Sequence, residues 1–239
     1  LYVSGAGWAV AMRRAPEALA GLVPVGMGGV LLALVCCPEL YPWAGAHAEP
    51  LPGFKGFWLD RPFFLLRAVG YGVAWWLFAR AIVRNSRAQD ADGDIRHTHR
   101  NVRLSAAFLV VFSLTFWLAT VDWLMSLEPH WFSTIFGVYH FSGLLSGGLA
   151  AIIVITVRLR VAHGLERVIT VDQLHDLGKL LLAFCTVWAY MWFCQYMLIW
   201  YANIPEETSH YVIRLQGAWG PLFVASLVLG WVAPFLLLL

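Results

Sequence analysis

Hydrophobic positions come in long unbroken runs, separated by short stretches that carry most of the charge. Such runs show neither the alternation of a half-buried strand nor the one-sided stripe of a soluble helix, and about 20 residues of this kind cross a bilayer as a helix. They predict spans at Leu1 to Met12 (partial), Ala18 to Cys37, Pro62 to Val83, Leu104 to Leu127, Trp131 to Val157, Leu180 to Ala202 and Ala218 to Leu239. The expected fold is all-α: a polytopic transmembrane helix bundle of six full spans plus one partial, in a single transmembrane domain over residues 1–239. Arg13 and Arg14 cut the first run short and the last run stops inside a span, so a fragment of a longer protein is expected.

Composition narrows the class. Of 239 residues, 60% are hydrophobic and 13% charged, against about 25% charged in soluble domains. A soluble globular enzyme is excluded, and a dispersed net charge of +2 excludes a nucleic-acid partner. The basic residues instead report topology. Arg13, Arg14, Arg80, Arg84, Arg87, Arg96, Arg100, Arg103, Arg158, Arg160, Arg167 and Lys179 fall on one side, twelve of the sixteen, leaving Lys55, Arg61, Arg67 and Arg214 for the other. The positive-inside rule then makes 85–103 a cytoplasmic loop and 38–61 a periplasmic one. Trp58, Trp123, Trp131, Trp200 and Trp219 fall near the outer ends of spans, where indoles prefer the headgroup layer. The outer loop, rich in proline and aromatics, reads either as a cap or partner-contact segment or as a loop lying on lipid.

Cofactor chemistry is constrained next. Cys36, Cys37, Cys185 and Cys194 form no Cys-x-x-Cys pair, so no zinc or cysteine-ligated cluster is expected. Asp90, Asp92 and Asp94 lack the later glutamate of a calcium-binding loop. A b-type haem needs paired axial ligands, and only His140 of eight histidines lies well inside a span, so no haem is expected.

Polar groups inside a span cost about 2.5–3.5 kcal/mol each on insertion scales and are the first place to look for function. Arg67, Asp122, His140 and Gln195 all fall in the outer half of their spans, counting about 1.5 Å per residue. Phe136, His140, Gly143 and Gly147 share a helix face, and the Gly143-x-x-x-Gly147 spacing admits a close neighbour. The span containing Asp122 is the expected neighbour, which would let Asp122 approach His140. Trp188, Trp192 and Gln195, with Tyr196 beside them, add aromatic walls and an amide that suit a flat hydrogen-bonding headgroup such as a quinol. Simpler readings stand beside these: Arg67 and Asp122 neutralising each other, His140 as an interhelical hydrogen-bond partner, and Gln195 as structural.

The run Asp122-Trp-Leu-Met-Ser-Leu-Glu-Pro-His-Trp-Phe-Ser-Thr-Ile-Phe-Gly-Val-Tyr139 resembles the ActF-type membrane subunit of bacterial alternative complex III, a quinol:cytochrome c oxidoreductase. Ser86-Arg-Ala-Gln-Asp90 and Gln195-Tyr-Met-Leu-Ile-Trp-Tyr-Ala-Asn-Ile-Pro205-Glu206 extend the likeness over nearly the whole chain. The wider group is the NrfD and polysulfide-reductase membrane subunit superfamily, whose members have about ten spans and no haem. The resemblance implies a bacterial inner-membrane, multi-pass protein. Its implied partners are a multihaem cytochrome c subunit, an iron–sulfur subunit and a sister NrfD-like membrane subunit. It implies quinone or quinol as the small molecule, and Asp122 and His140 as proton-path elements, the sister subunit being the one more firmly credited with quinol binding. No catalytic residue or metal ligand is expected, and the chain is not expected to be catalytic alone.

Two further classes compete. One is a purely structural anchor for extrinsic redox subunits. The other, a secondary transporter, would place charges near the midplane in symmetry-related broken helices, whereas these charges sit near the outer edge.

Overall fold

The computed structural model describes residues 2–5, 10–45 and 51–239, and every regular element among them is helical. In chain order these are α1 (Arg14–Ala20), α2 (Val23–Cys36), α3 (Gly53–Trp58), α4 (Arg61–Asp92), α5 (Arg96–Trp123), α6 (Phe136–Ala162), α7 (Val171–Ala202), α8 (Pro205–Leu215), α9 (Trp219–Leu227) and α10 (Ala233–Leu238). Among the described residues, six helical stretches are long and apolar enough to cross a membrane: Arg14–Cys36, Arg61–Asp92, Arg96–Leu127, Phe136–Ala162, Val171–Ala202 and Trp219–Leu238. The chain is an all-α, multi-pass bundle of the kind the hydrophobic runs predict. Within the expected partial span, residues 2–5 and 10–12 form turns rather than a helix, and 1 and 6–9 lie outside the described residues.

Contacts divide the chain into two compact units, Leu1–Leu127 and Glu128–Leu239. In the first, α4 packs along α5 and is also flanked by α1 and α2; in the second, α7 packs against α6, α10 and the turn that joins α9 to α10. Much of the apolar surface faces outward, with Leu66, Leu114, Leu198 and Leu229 all more than 60% exposed. In water such a surface would drive aggregation, whereas lipid solvates it.

The segment expected to be a cytoplasmic loop over 85–103 is a helical hairpin. α4 continues to Asp92, Gly93 takes φ 70° as its left-handed stop, and α5 begins at Arg96. Hydropathy marks where the bilayer ends, not where backbone hydrogen bonding ends, and Arg, Gln and Ala keep a helix going in water. Buried Asn85 and Asn101 bond at 3.1 Å, Asn101 also donates to the Ile82 carbonyl at 3.2 Å, and Gln89 donates to Thr98 at 2.8 Å. Similarly α7 starts at Val171, with Thr170 and Gln173 forming a reciprocal capping box.

In its described part the 38–61 loop caps the helices of the first unit, residues 46–50 lying outside that part. Tyr41 donates to the Trp123 carbonyl at 3.0 Å and the Trp43 indole to the Ser126 carbonyl at 3.1 Å, satisfying the carbonyl end of α5 and the turn after it. Leu34, Tyr41, Leu59, Phe64 and Ala68 form the core beneath.

Candidate functional sites

In the first unit, the site is built on two facing helices. Arg67 and Tyr71 are four residues apart on α4 and therefore on one face, opposite Asp122 one residue before the end of α5. Arg67 Nε donates to Asp122 Oδ2 at 2.9 Å and Nη2 to Oδ1 at 3.0 Å, a two-pronged pairing. The Tyr71 hydroxyl adds a bond to Oδ2 at 3.0 Å and the Trp58 indole one to Oδ1 at 2.7 Å. The carboxylate is completely buried, so these four donors replace its water. The guanidinium lies 4.1 Å from the Trp58 ring centre and 4.5 Å from that of Phe63, which shields its outer face. Its Nη1 has no hydrogen-bond partner among the described residues, where the π faces serve as its solvation.

This arrangement holds a charge in place. A carboxylate with two prongs of Arg67, a phenol and an indole has little lone-pair capacity left for a further donor. The structure thus brings Arg67 and Asp122 together.

In the second unit, His140 is on α6 and Gln195 on α7, and no hydrogen bond joins them. His140 Nε2 and Gln195 Oε1 are both buried and have no hydrogen-bond partner among the described residues. Phe136, one turn before His140, presents an edge 4.3 Å from the imidazole, and Tyr139 lies 4.9 Å away. Gly143 serves the α6–α7 contact: a methyl there would stand 3.2 Å from Trp188 of α7, and Tyr139 stacks on the same indole at 5.8 Å. Gly147 has open space around it.

At the Glu128 end of this unit lies a cluster that the hydrophobic pattern does not single out. Its carrier is α8, an amphipathic helix started by Pro205, Glu206 and Glu207 and ended after Arg214, each suited to its end of the helix dipole. Arg214 Nη2 donates to Glu128 Oε1 at 2.6 Å and Nη1 to the His210 carbonyl at 2.7 Å. His210 Nδ1 lies 2.9 Å from both Glu128 Oε2 and Arg214 Nη1. One ring nitrogen cannot donate and accept at once; with Arg214 served by the carbonyl, a proton on Nδ1 directed at Glu128 satisfies the set. The imidazole stacks on Trp131 at 3.8 Å with planes 9° apart. Burial, then the Arg214 charge, push His210 below its ordinary pKa despite Glu128. Burial alone would raise Glu128, but Arg214 and His210 outweigh it and hold the carboxyl low.

No protein-family model matches the chain, and no curated protein matches it in sequence. Tyr71, Trp58, Glu128, His210 and Arg214 are the residues that sequence reasoning missed. Tyr71 carries a readable signal, one helical turn after Arg67, and so does Arg214, one turn after His210; Trp58 and Glu128 reach their partners only through loop and cap geometry. Among the described residues no group of three or more His, Cys, Asp or Glu side chains is arranged to hold a metal.

Proposed function

We propose that this chain is an integral membrane subunit of a respiratory quinol:cytochrome c oxidoreductase of the alternative complex III type, in which His140 handles protons and the Arg67–Asp122 pair holds the helices. The observation that carries the assignment of roles is the contrast between the two buried groups. Asp122 has both oxygens filled by four donors, whereas His140 Nε2 is buried with no partner among the described residues. A buried acceptor with nothing to accept from is costly unless a substrate, water or partner group supplies the donor.

Its surroundings fit that role. Phe136 and Tyr139 wall the imidazole, and Gln195 Oε1 on the neighbouring helix is a second unfilled acceptor in the same unit. A quinol or an ordered water chain is a donor of the right chemistry, and a positioned imidazole speeds proton transfer by about 10²–10⁴. Quinol oxidation itself needs the electron acceptors of other subunits, so this chain supplies orientation and proton handling. The sequence likeness over Asp122 to Tyr139 supports placing it in that complex.

Purification of the protein from its native membrane tests the assignment. Co-purification of a multihaem cytochrome and an iron–sulfur protein, with quinol-dependent cytochrome reduction, is the expected result; isolation without either would overturn it. A second reading, a purely structural anchor, is favoured by the complete satisfaction of Asp122. It differs in expecting His140 variants of the assembled complex to keep full turnover.

A further inference from the structure

A half-open groove of about 460 Å³ runs along the first unit between α4 on one side and α1 with the start of α2 on the other. Ala18, Gly21 and Pro24 form one apolar wall and Ala79 and Val83 the other. Arg80, Arg84 and Arg87 also line it, and their spacing puts them along one face of α4.

Depth and charge define what fits there. α4 has 32 residues, so at about 1.5 Å per residue it is longer than the roughly 30 Å hydrocarbon layer. Counted from Arg61, the layer is crossed within about 20 residues, which sets Arg80 at its far edge and Arg84 and Arg87 among the headgroups. The nearby acids are already engaged. Glu17, in the groove wall, pairs with Arg13 at 3.7 Å and with Arg14, while Asp90 pairs with Arg13 at 2.9 Å and with Arg14. Arg80, Arg84 and Arg87 are exposed and have no ion pair among the described residues; Arg80 rests 5.5 Å from the Trp76 ring centre.

We propose that this groove binds an anionic phospholipid, with its phosphate held by Arg84 and Arg87 and one acyl chain laid along the alanine, glycine and proline wall. Two cations without an ion pair at headgroup depth, with Arg80 at the edge of the layer, attract an anion, and the apolar wall below them rewards an attached hydrocarbon chain that free phosphate lacks. A zwitterionic headgroup brings its own cation toward the arginines and gains less. The site is independent of the quinol reading, since it uses none of the residues assigned to proton handling.

Native mass spectrometry of the intact protein, titrated in detergent with phosphatidylglycerol or phosphatidylcholine, tests this. Phosphatidylglycerol should be retained over phosphatidylcholine, and the Arg84→Gln/Arg87→Gln double variant should weaken its retention roughly thirtyfold. Arg84→Lys/Arg87→Lys should hold close to the original affinity, and Ala79→Trp should weaken binding by filling the groove at constant charge. Equal retention of the two lipids, or unchanged binding in the double glutamine variant with an unaltered melting temperature, would overturn the proposal. Displacement of phosphatidylglycerol by excess inorganic phosphate would also overturn it, marking a free-anion site instead.

Discussion

Arg67 grips Asp122 with two nitrogens, at 2.9 and 3.0 Å, across the α4–α5 interface of the first unit. Because the carboxylate has no exposure to solvent, removing the guanidinium strands a buried charge. Arg67→Leu should therefore destabilise the protein by about 3–5 kcal/mol, and Arg67→Lys should recover only part of this because an ammonium cannot reproduce the fork. Thermal unfolding in detergent measures it. In a double-mutant cycle, Arg67→Leu/Asp122→Leu should be less damaging than either single change; strictly additive losses would deny the coupling.

Tyr71→Phe removes one hydrogen bond to a charged acceptor without changing ring packing. A loss of about 1.5–3 kcal/mol is expected by the same unfolding measurement. An unchanged midpoint would mean that the phenol is not a working donor to Asp122.

Glycine positions on α6 and after α9 separate tight packing from open space. A methyl at Gly230 would stand 2.7 Å from Trp188 Cζ3, inside the π-helical turn Val228–Val232, whereas Gly147 has nothing within 4 Å. Gly230→Ala should cost about 1–3 kcal/mol from overpacking, while Gly147→Ala should be neutral or stabilising by up to about 1 kcal/mol. Equal effects at both positions would contradict the assigned contact.

These comparisons mark how far the sequence could be read. The six spans were legible because a bilayer demands long apolar runs, and Arg67, Asp122, His140 and Gln195 stood out because polar groups there are expensive. The simpler of the two readings of Arg67 and Asp122, mutual neutralisation, is the one that the geometry realises, since Arg67 on α4 reaches across to α5. Helix ends beyond the membrane were not legible: 85–103 carries the charge of a loop, yet it is helical except for the short turn at 93–95 that the left-handed Gly93 opens. The Glu128–His210–Arg214 cluster was hidden because Glu128 lies more than 80 residues from the other two in sequence and meets them only on α8, a helix too short and too polar to register as a span.

That cluster sets a pH dependence. His210 is held below its ordinary value of 6.5, so between its folded value and 6.5 the unfolded chain binds more protons. Its contribution is present above pH 6.5 and is lost as pH falls through the folded value. Glu128, held below 4.5, acts in the same direction at lower pH. Stability of the second unit should thus fall on acidification, first below about pH 6.5 and again below about 4.5. Melting temperatures across this range check it, with His210→Phe expected to remove the upper step; a midpoint that rises on acidification would reverse the sign.

The most direct test of the division of labour between His140 and Asp122 is quinol-dependent cytochrome c reduction by the intact purified complex carrying His140→Gln, normalised to its haem content. The account expects normal assembly with turnover reduced at least about a hundredfold, the lower end of what a general base contributes. Asp122→Asn, in contrast, should fail at assembly, because it leaves Arg67 buried without its counter-charge. Full turnover in an assembled His140→Gln complex would contradict the proton-handling role and leave the chain as a structural anchor.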